Sequence, residues 1–252
     1  MKIQYLPAMR VDFVPQEGPG SRVPVTVYRP YGVLQMDELL MRAQRDERGA
    51  LLEAAERYYF GLGVDKDPDK ALSYLLRAAD RDVQDAAYLI AECYRNGIAV
   101  EQDEKKCVEW LFRAAENGSW MAMLNLAAVY HTGSAADGNA ELTADETEAF
   151  YWTLQAEKSV RAYWNVYSRP DFLDFGETKQ RLLNAYLQVA AQLSAHYADG
   201  RGVECDRKKA MKWLERGKRF AVEATGQQSV PPMDRAIVEL QQRIREENAA
   251  QS

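Results

Sequence analysis

A tyrosine three residues ahead of a glycine returns along this chain at a fixed interval. Tyr58-Tyr59-Phe60-Gly61, Tyr94-Arg95-Asn96-Gly97 and Tyr130-His131-Thr132-Gly133 follow one another every 36 residues, and Tyr197-Ala198-Asp199-Gly200 comes after a longer gap. A period of this length marks an array of one small supersecondary unit. Each unit leaves an apolar face that only its neighbour can cover, so such a chain offers a partner extended surface more readily than one deep pocket.

The unit can be read by counting from its glycine. Ala50, Ala86, Ala122 and Val189 stand eleven residues before it. Ala54-Ala55, Ile90-Ala91, Leu126-Ala127 and Leu193-Ser194 stand seven and six before it. With the tyrosines at −3 these positions form one stripe of a helix, here termed the first helix of the unit. The glycine ends that helix because a left-handed residue is needed there. Six residues on, Asp67, Asp103 and Asp206 are candidate N-caps for a second helix over Lys70–Ala79, Lys106–Ala115 and Lys209–Arg219. Its inner face pairs small residues (Ala71, Cys107, Ala210) with Tyr74-Leu75, Trp110-Leu111 and Trp213-Leu214. In the third unit the capping acid, Asp145, comes six residues late, after which Ala149, Trp152 and Ala156 regain the register. A further insertion separates the third and fourth units.

The chain therefore divides into an N-terminal arm over 1–35, an N-capping helix over 36–48, four repeats over 49–222 and a C-capping helix over 233–248. The aromatic insertion lies near 160–176. In the arm, Val11-Asp12-Phe13-Val14 and Val23-Pro24-Val25-Thr26-Val27-Tyr28 are β-prone and predict a loose hairpin or an extended strap. Val160–Tyr167 can prolong the third unit's second helix until Arg169-Pro170, and Glu177–Ala198 reads as a long first helix of the fourth unit. Pro231-Pro232 is read as a breaker ahead of the C-terminal helix.

The pattern Ala-x3-Leu-Ala-x2-Tyr-x2-Gly-x-Gly-Val-x2-Asp-x3-Ala-x2-Trp-Leu-x2-Ala-Ala resembles the Sel-one-like repeat family, a branch of the tetratricopeptide-like helical hairpins, in its bacterial members. Gly61-Leu62-Gly63-Val64 and Gly200-Arg201-Gly202-Val203 match it most closely. The resemblance implies an all-α fold, a right-handed α-solenoid of helical hairpins (an α-α superhelix) with a short irregular or β-prone arm. It also implies a non-enzymatic adaptor that binds a protein or peptide partner on the concave face lined by the first helices. On that analogy offsets −12, −9, −5 and −2 face inward. The candidate groove residues are Glu56, Tyr59, Asp85, Tyr88, Glu92, Arg95, Leu124 and His131. Glu56 and Glu92 with Tyr59 and Tyr88 suit a basic partner. Trp164, Tyr167 and Phe172 in the insertion form a local plug or a secondary contact.

Composition narrows the classes. The chain has 252 residues, 47% of them hydrophobic, and a net charge of −6, so it can build cores, and nucleic acid, which demands a dense basic face, is not an expected partner. Met1-Lys2-Ile3-Gln4-Tyr5-Leu6-Pro7 lacks a signal peptide's apolar run, and no stretch is long enough to span a bilayer, which points to the cytoplasm. Cys93 and Cys107 fall at core offsets and read as small buried hydrophobes, while Cys205 sits in a loop.

No catalytic constellation emerges. His131 and His196 lie on different units, and no zinc, nucleophile-elbow or Walker pattern occurs. Asp137, Asn139, Glu141, Thr143, Asp145 and Glu148 count as an EF-hand loop, but Leu142 stands where the tight turn needs glycine. No metal and no cofactor is expected. The leading function is a protein-binding scaffold, in a toxin-neutralising (immunity) or a regulatory version. The rival is a hydrolase or cell-wall-ligand binder using the aromatic insertion with Asp171 or Asp174.

Overall fold

The computed structural model describes residues 9–15, 22–28, 34–133, 143–168 and 177–250. Among the described residues two strands, β1 (Met9–Pro15) and β2 (Arg22–Tyr28), precede ten helices. The strands pair antiparallel in a register that sets Met9 opposite Tyr28 and Pro15 opposite Arg22, so the hairpin alternative for the arm is the one formed. The described residues fall into two compact units. Unit 1 holds 9–15, 22–28, 34–122 and 165–168; unit 2 holds 123–133, 143–164 and 177–250.

Unit 1 contains α1 (Met36–Gln44), α2 (Arg48–Phe60), α3 (Pro68–Ala79), α4 (Gln84–Asn96) and α5 (Glu104–Glu116). The stripe at −11, −7 and −6 is sealed: Ala50, Ala54, Ala55, Ala86, Ile90 and Ala91 are buried. Leu39, Leu51, Leu75 and Ile90 share one core cluster, with Tyr59, Tyr74 and Trp110 packed on its margin. Burying each of these aliphatic side chains contributes about 2 kcal/mol. Cys93 and Cys107 are free and buried in the same region. Burial pushes the Cys93 thiol up to about 11 and raises that of Cys107, so both behave as hydrophobes.

The turns that join successive hairpins also repeat. Asp46, Asp82 and Gly118, spaced by 36, all have positive φ. Across these turns Arg77 Nη2 donates to Ala43 O at 2.7 Å and Arg113 Nη2 to Ala79 O at 2.6 Å. In unit 1 a last-turn arginine of one second helix thus adds a side-chain donor to a carbonyl at the end of the second helix before it, which also accepts from the N–H of Asp46 or Asp82. Arg77 also pairs with Asp46 at 2.6 Å, and the guanidinium holds that carboxyl below its ordinary range.

Unit 2 holds most of α6 (Trp120–Thr132) and α7 (Glu146–Tyr167), with all of α8 (Glu177–Asp199), α9 (Arg207–Thr225) and α10 (Pro231–Ala250). Leu126, Val189, Leu193, Ala210 and Leu214 are buried at the anticipated offsets. Helix α9 approaches closely because Gly217 replaces the alanine of the earlier hairpins. A Cβ there would lie 2.9 Å from Ala190 Cβ and 3.0 Å from Met233 Sδ. Pro231 and Pro232 do not precede the last helix but begin it, as a first turn tolerates. Asp234 accepts from Val230 N at 2.9 Å and Lys218 pairs with Asp234 at 2.6 Å, which anchors that first turn to α9.

Candidate functional site

The site begins with how each hairpin closes. Gly61, Gly97, Gly133 and Gly200 all have φ between +64° and +74°, as a helix-ending residue requires. The chain then doubles back, and the capping aspartate ties itself to the repeat tyrosine. Asp67 N donates to Tyr58 O at 3.1 Å, Asp103 N to Tyr94 O at 3.0 Å, Asp145 N to Tyr130 O at 2.8 Å and Asp206 N to Tyr197 O at 2.8 Å. The tie satisfies a carbonyl in the last turn of the first helix. The carboxylates then cap the second helix: Asp67, Asp103 and Asp206 accept from Lys70 N, Lys106 N and Lys209 N.

The same lysines reach back over the tyrosine rings. Lys70, Lys106 and Lys209 Nζ lie 5.2, 5.3 and 5.4 Å from the centroids of Tyr58, Tyr94 and Tyr197. The Lys70 ammonium is the main reason the Asp67 carboxyl sits below its ordinary range; for Asp103 and Asp206 the capping N–H is the main reason. These closures hold the first helices with one face sealed and the other open.

In unit 1 the open face belongs to α2 and α4. Glu56, Tyr59, Asp85, Tyr88, Glu92 and Arg95 are all half-buried there, neither locked in the core nor fully solvated. Arg95 Nη1 donates to Glu92 Oε1 at 2.8 Å, so this part of the face is a charge pair and not a bare acid. Burial raises the Tyr59 phenol, with the Cys93 thiol and the Glu92 carboxylate adding to it. Its ring meets that of Phe60 edge-on at 4.8 Å, and Phe60 is 50% exposed. Glu53, the acid inside this helix, is engaged by Arg57 at 3.0 Å.

In unit 2 the sequence-derived positions separate. Leu124 is only 9% exposed and has little surface to offer, because an aliphatic side chain at the edge of the apolar stripe is drawn into the core. His131 is exposed, and its Nδ1 lies 2.7 Å from Glu146 Oε1 at the start of α7. Trp164 packs on Phe220 at 4.7 Å, and Phe220 stacks on Tyr186 at 3.9 Å. This is the plug arrangement for Trp164, and Tyr167 is buried. Phe172, Asp171 and Asp174 lie outside the described residues, as do Asp137, Asn139 and Glu141 of the EF-hand count. Asp145 and Glu148 of that count belong to the start of α7, where Asp145 Oδ1 accepts from Thr147 N and Glu148 N. Among the described residues no group of three His, Cys, Asp or Glu side chains is placed to hold a metal ion.

Sequence reasoning missed the neighbours of His131. Thr153 on α7, Gln192 and His196 on α8 and Arg201 in the loop beyond line one pocket with it. The one signal was that both histidines of the chain fall next to a repeat tyrosine, in consecutive units.

Comparison with known proteins places these hairpins. A sequence profile described as the Sel1 repeat matches residues 49–83, 84–119, 120–158 and 185–219, more than half of the chain. No curated protein matches. The structure of a Sel1 repeat protein from Oxalobacter formigenes aligns with 80% of the chain at 23% identity and a TM-score of 0.58. A protective antigen present in uropathogenic Escherichia coli strains, displaying an SLR fold, aligns with 74% of it at 24% identity and a TM-score of 0.46. The matched regions span 47% and 41% of those two chains, so this chain covers less than half the length of either. The likeness to the first is one of fold, and the fold class is an all-α solenoid of Sel1-type hairpins.

Proposed function

The chain belongs to the Sel1 repeat family, and on that premise we propose that it is a non-enzymatic scaffold whose partner docks on the open face of α2 and α4. Repeats of this family are generally protein–protein interaction modules on a helical frame. The observation that supports the reading here is the contrast within single helices of unit 1. The positions at −11, −7 and −6 are sealed, while Glu56, Tyr59, Asp85, Tyr88, Glu92 and Arg95 keep accessible surface. Aromatic rings give such a face contact area at small entropic cost, and the acids set which charge may approach.

The partner we propose is a protein or peptide with a basic or mixed-charge surface. A toxin neutralised by an immunity protein and a regulated enzyme are the two versions of that partner, and the cytoplasm is the proposed location. Among the described residues no helix is long and apolar enough to cross a membrane.

The test is a pull-down at low salt with the full chain and with the Glu56→Arg, Glu92→Arg double variant. Retention of a specific protein by the parent and at least about tenfold weaker capture by the variant are expected, with both melting alike. Equal capture by the two proteins moves the docking face away from α2 and α4.

A further inference from the structure

The last turn of α2 carries side chains that its counterpart on α4 lacks. At offsets −5, −2 and −1 from the turn glycine stand Glu56, Tyr59 and Phe60 on α2, and Glu92, Arg95 and Asn96 on α4. On α4 these three side chains meet. Arg95 Nη1 donates to Glu92 Oε1 at 2.8 Å, and Asn96 Nδ2 lies 3.5 Å from Glu92 Oε2. The repeat thus sets the −2 and −1 side chains within reach of the −5 carboxylate, as residues three and four apart on a helix are. On α4 the chain itself supplies the guanidinium. On α2 the same two places hold rings.

The planes of the Tyr59 and Phe60 rings cross at 74°, so the two form a corner. Tyr59 rests against the core cluster, and the Glu92 carboxylate of α4 bears on its phenol. Phe60 stands further out, with half of its surface in water. The corner closes the C-terminal end of α2, where the helix dipole favours a positive charge, and ring faces favour the same charge. We propose that this corner receives an arginine side chain of the docked partner, its guanidinium lying against the rings of Tyr59 and Phe60 and forked to the Glu56 carboxylate.

The inference rests on the docking reading of α2 and α4 and names the group that the partner brings there. Glu56 also interacts within its own chain, but a carboxylate offers about four acceptor sites and can take a fork beside that contact. A guanidinium is planar, so it stacks on a ring and donates in its own plane at once, and its aliphatic stem covers exposed ring surface. The chain uses the same stacking internally, where Arg113 lies over the Trp110 ring. A lysine ammonium supplies the charge without the plane, and a neutral side chain of the same shape supplies the cover without the charge.

The experiment is a heteronuclear NMR titration of the full chain, read at the backbone amides of Tyr59, Phe60 and Gly61. The probes are the peptide acetyl-Gly-Arg-Gly-amide and the same peptide with lysine or citrulline in place of arginine. Saturable shifts with the arginine peptide are expected, with the lysine peptide about threefold and the citrulline peptide about tenfold weaker. Phe60→Leu, which keeps apolar bulk and removes the ring, should weaken the arginine peptide about threefold, and Glu56→Gln about tenfold. Phe60→Leu should melt with the parent, because half of that side chain is already in water, so it decides the matter if Glu56→Gln fails to fold. Absence of a saturable shift with the arginine peptide, or equal binding of the citrulline peptide, overturns the proposal. In the pull-down, Phe60→Leu should capture the partner about threefold more weakly than the parent. Equal capture by Phe60→Leu, with capture lost in the Glu56→Arg, Glu92→Arg variant, leaves the docking face standing and overturns this inference alone.

Discussion

In hairpin α4–α5 the Lys106 ammonium sits over the Tyr94 ring; in hairpin α6–α7 the same position, three residues beyond the capping aspartate, is Glu148. The tyrosine there, Tyr130, has its phenol raised first by burial and then by the Glu148 and Asp145 carboxylates. A similar exchange occurs at the far end of the second helix. The guanidinium carbons of Arg77, Arg113 and Arg216 lie 5.7, 5.0 and 4.9 Å from the ring centroid of the aromatic residue three before them, and the third unit has Trp152 followed by Gln155 instead. Yet the tie from the aspartate N–H to the tyrosine carbonyl persists in α6–α7 although its loop is six residues longer. The backbone tie is therefore what the repeat requires, and the cation over the ring is an option. The hairpin that drops the option is the one whose His131 and Thr153 line a pocket with Gln192, His196 and Arg201.

The largest expected break in this equivalence is at the second glycine of the Gly-x-Gly turn. A Cβ at Gly202 would overlap the Glu146 carbonyl, whereas Gly63 has open space around it; both have positive φ. Urea unfolding should show Gly202→Ala losing ~3 kcal/mol or more, from overlap added to backbone strain, and Gly63→Ala only about 1 kcal/mol. Equal losses would show that the two turns are interchangeable.

Next in size is the last-turn arginine. Arg113 serves a backbone carbonyl, but Arg216 lies 3.4 Å from the carboxylate of Glu157, which is 3% exposed and whose other neighbours are Arg161 and the Tyr186 hydroxyl. Calorimetric melting should place the cost of Arg216→Met near ~2 kcal/mol and that of Arg113→Met near ~1 kcal/mol, because only the first takes away one of the two cations beside a buried carboxylate. A reversed order would mean that the carbonyl contact dominates in both.

Ala99 holds the Gly63 and Gly202 position in the second unit with φ of +60°. Ala99→Gly should stabilise the chain by about 1 kcal/mol in the same unfolding assay, by relieving the Cβ clash of the left-handed region. A loss instead would show that the alanine methyl is packed. The smallest effect tests the clamp itself. Glu148→Lys restores a cation three residues after Asp145 and should raise the melting temperature by about 2 °C. An unchanged or lower melting point would show that the third hairpin has no place for it.

The hairpins were legible in the sequence to a fine grain because their determinants are local and recur. Small or aliphatic residues at −11, −7 and −6, a glycine for the left-handed turn and an aspartate for the cap each act within one or two turns of chain. Repetition let every unit check the others. The docking face was legible only in part. Leu52 and Leu124 occupy an offset read as facing the groove and are buried, while Tyr88 at the same offset stays half-exposed. A border position is settled by side-chain chemistry and by what packs beside it, which spacing does not contain.

The order of helices, their capping residues, the free buried thiols and the family were thus determined by the amino-acid sequence itself, since each follows from the conformational preference or hydrophobicity of residues close in the chain. Only the tertiary structure decided that His131 and His196, from different units, line one pocket, and that Gly202 must be bare because the backbone at the start of α7 lies against its turn. Those facts depend on distances between segments remote in sequence, and such distances are fixed by packing.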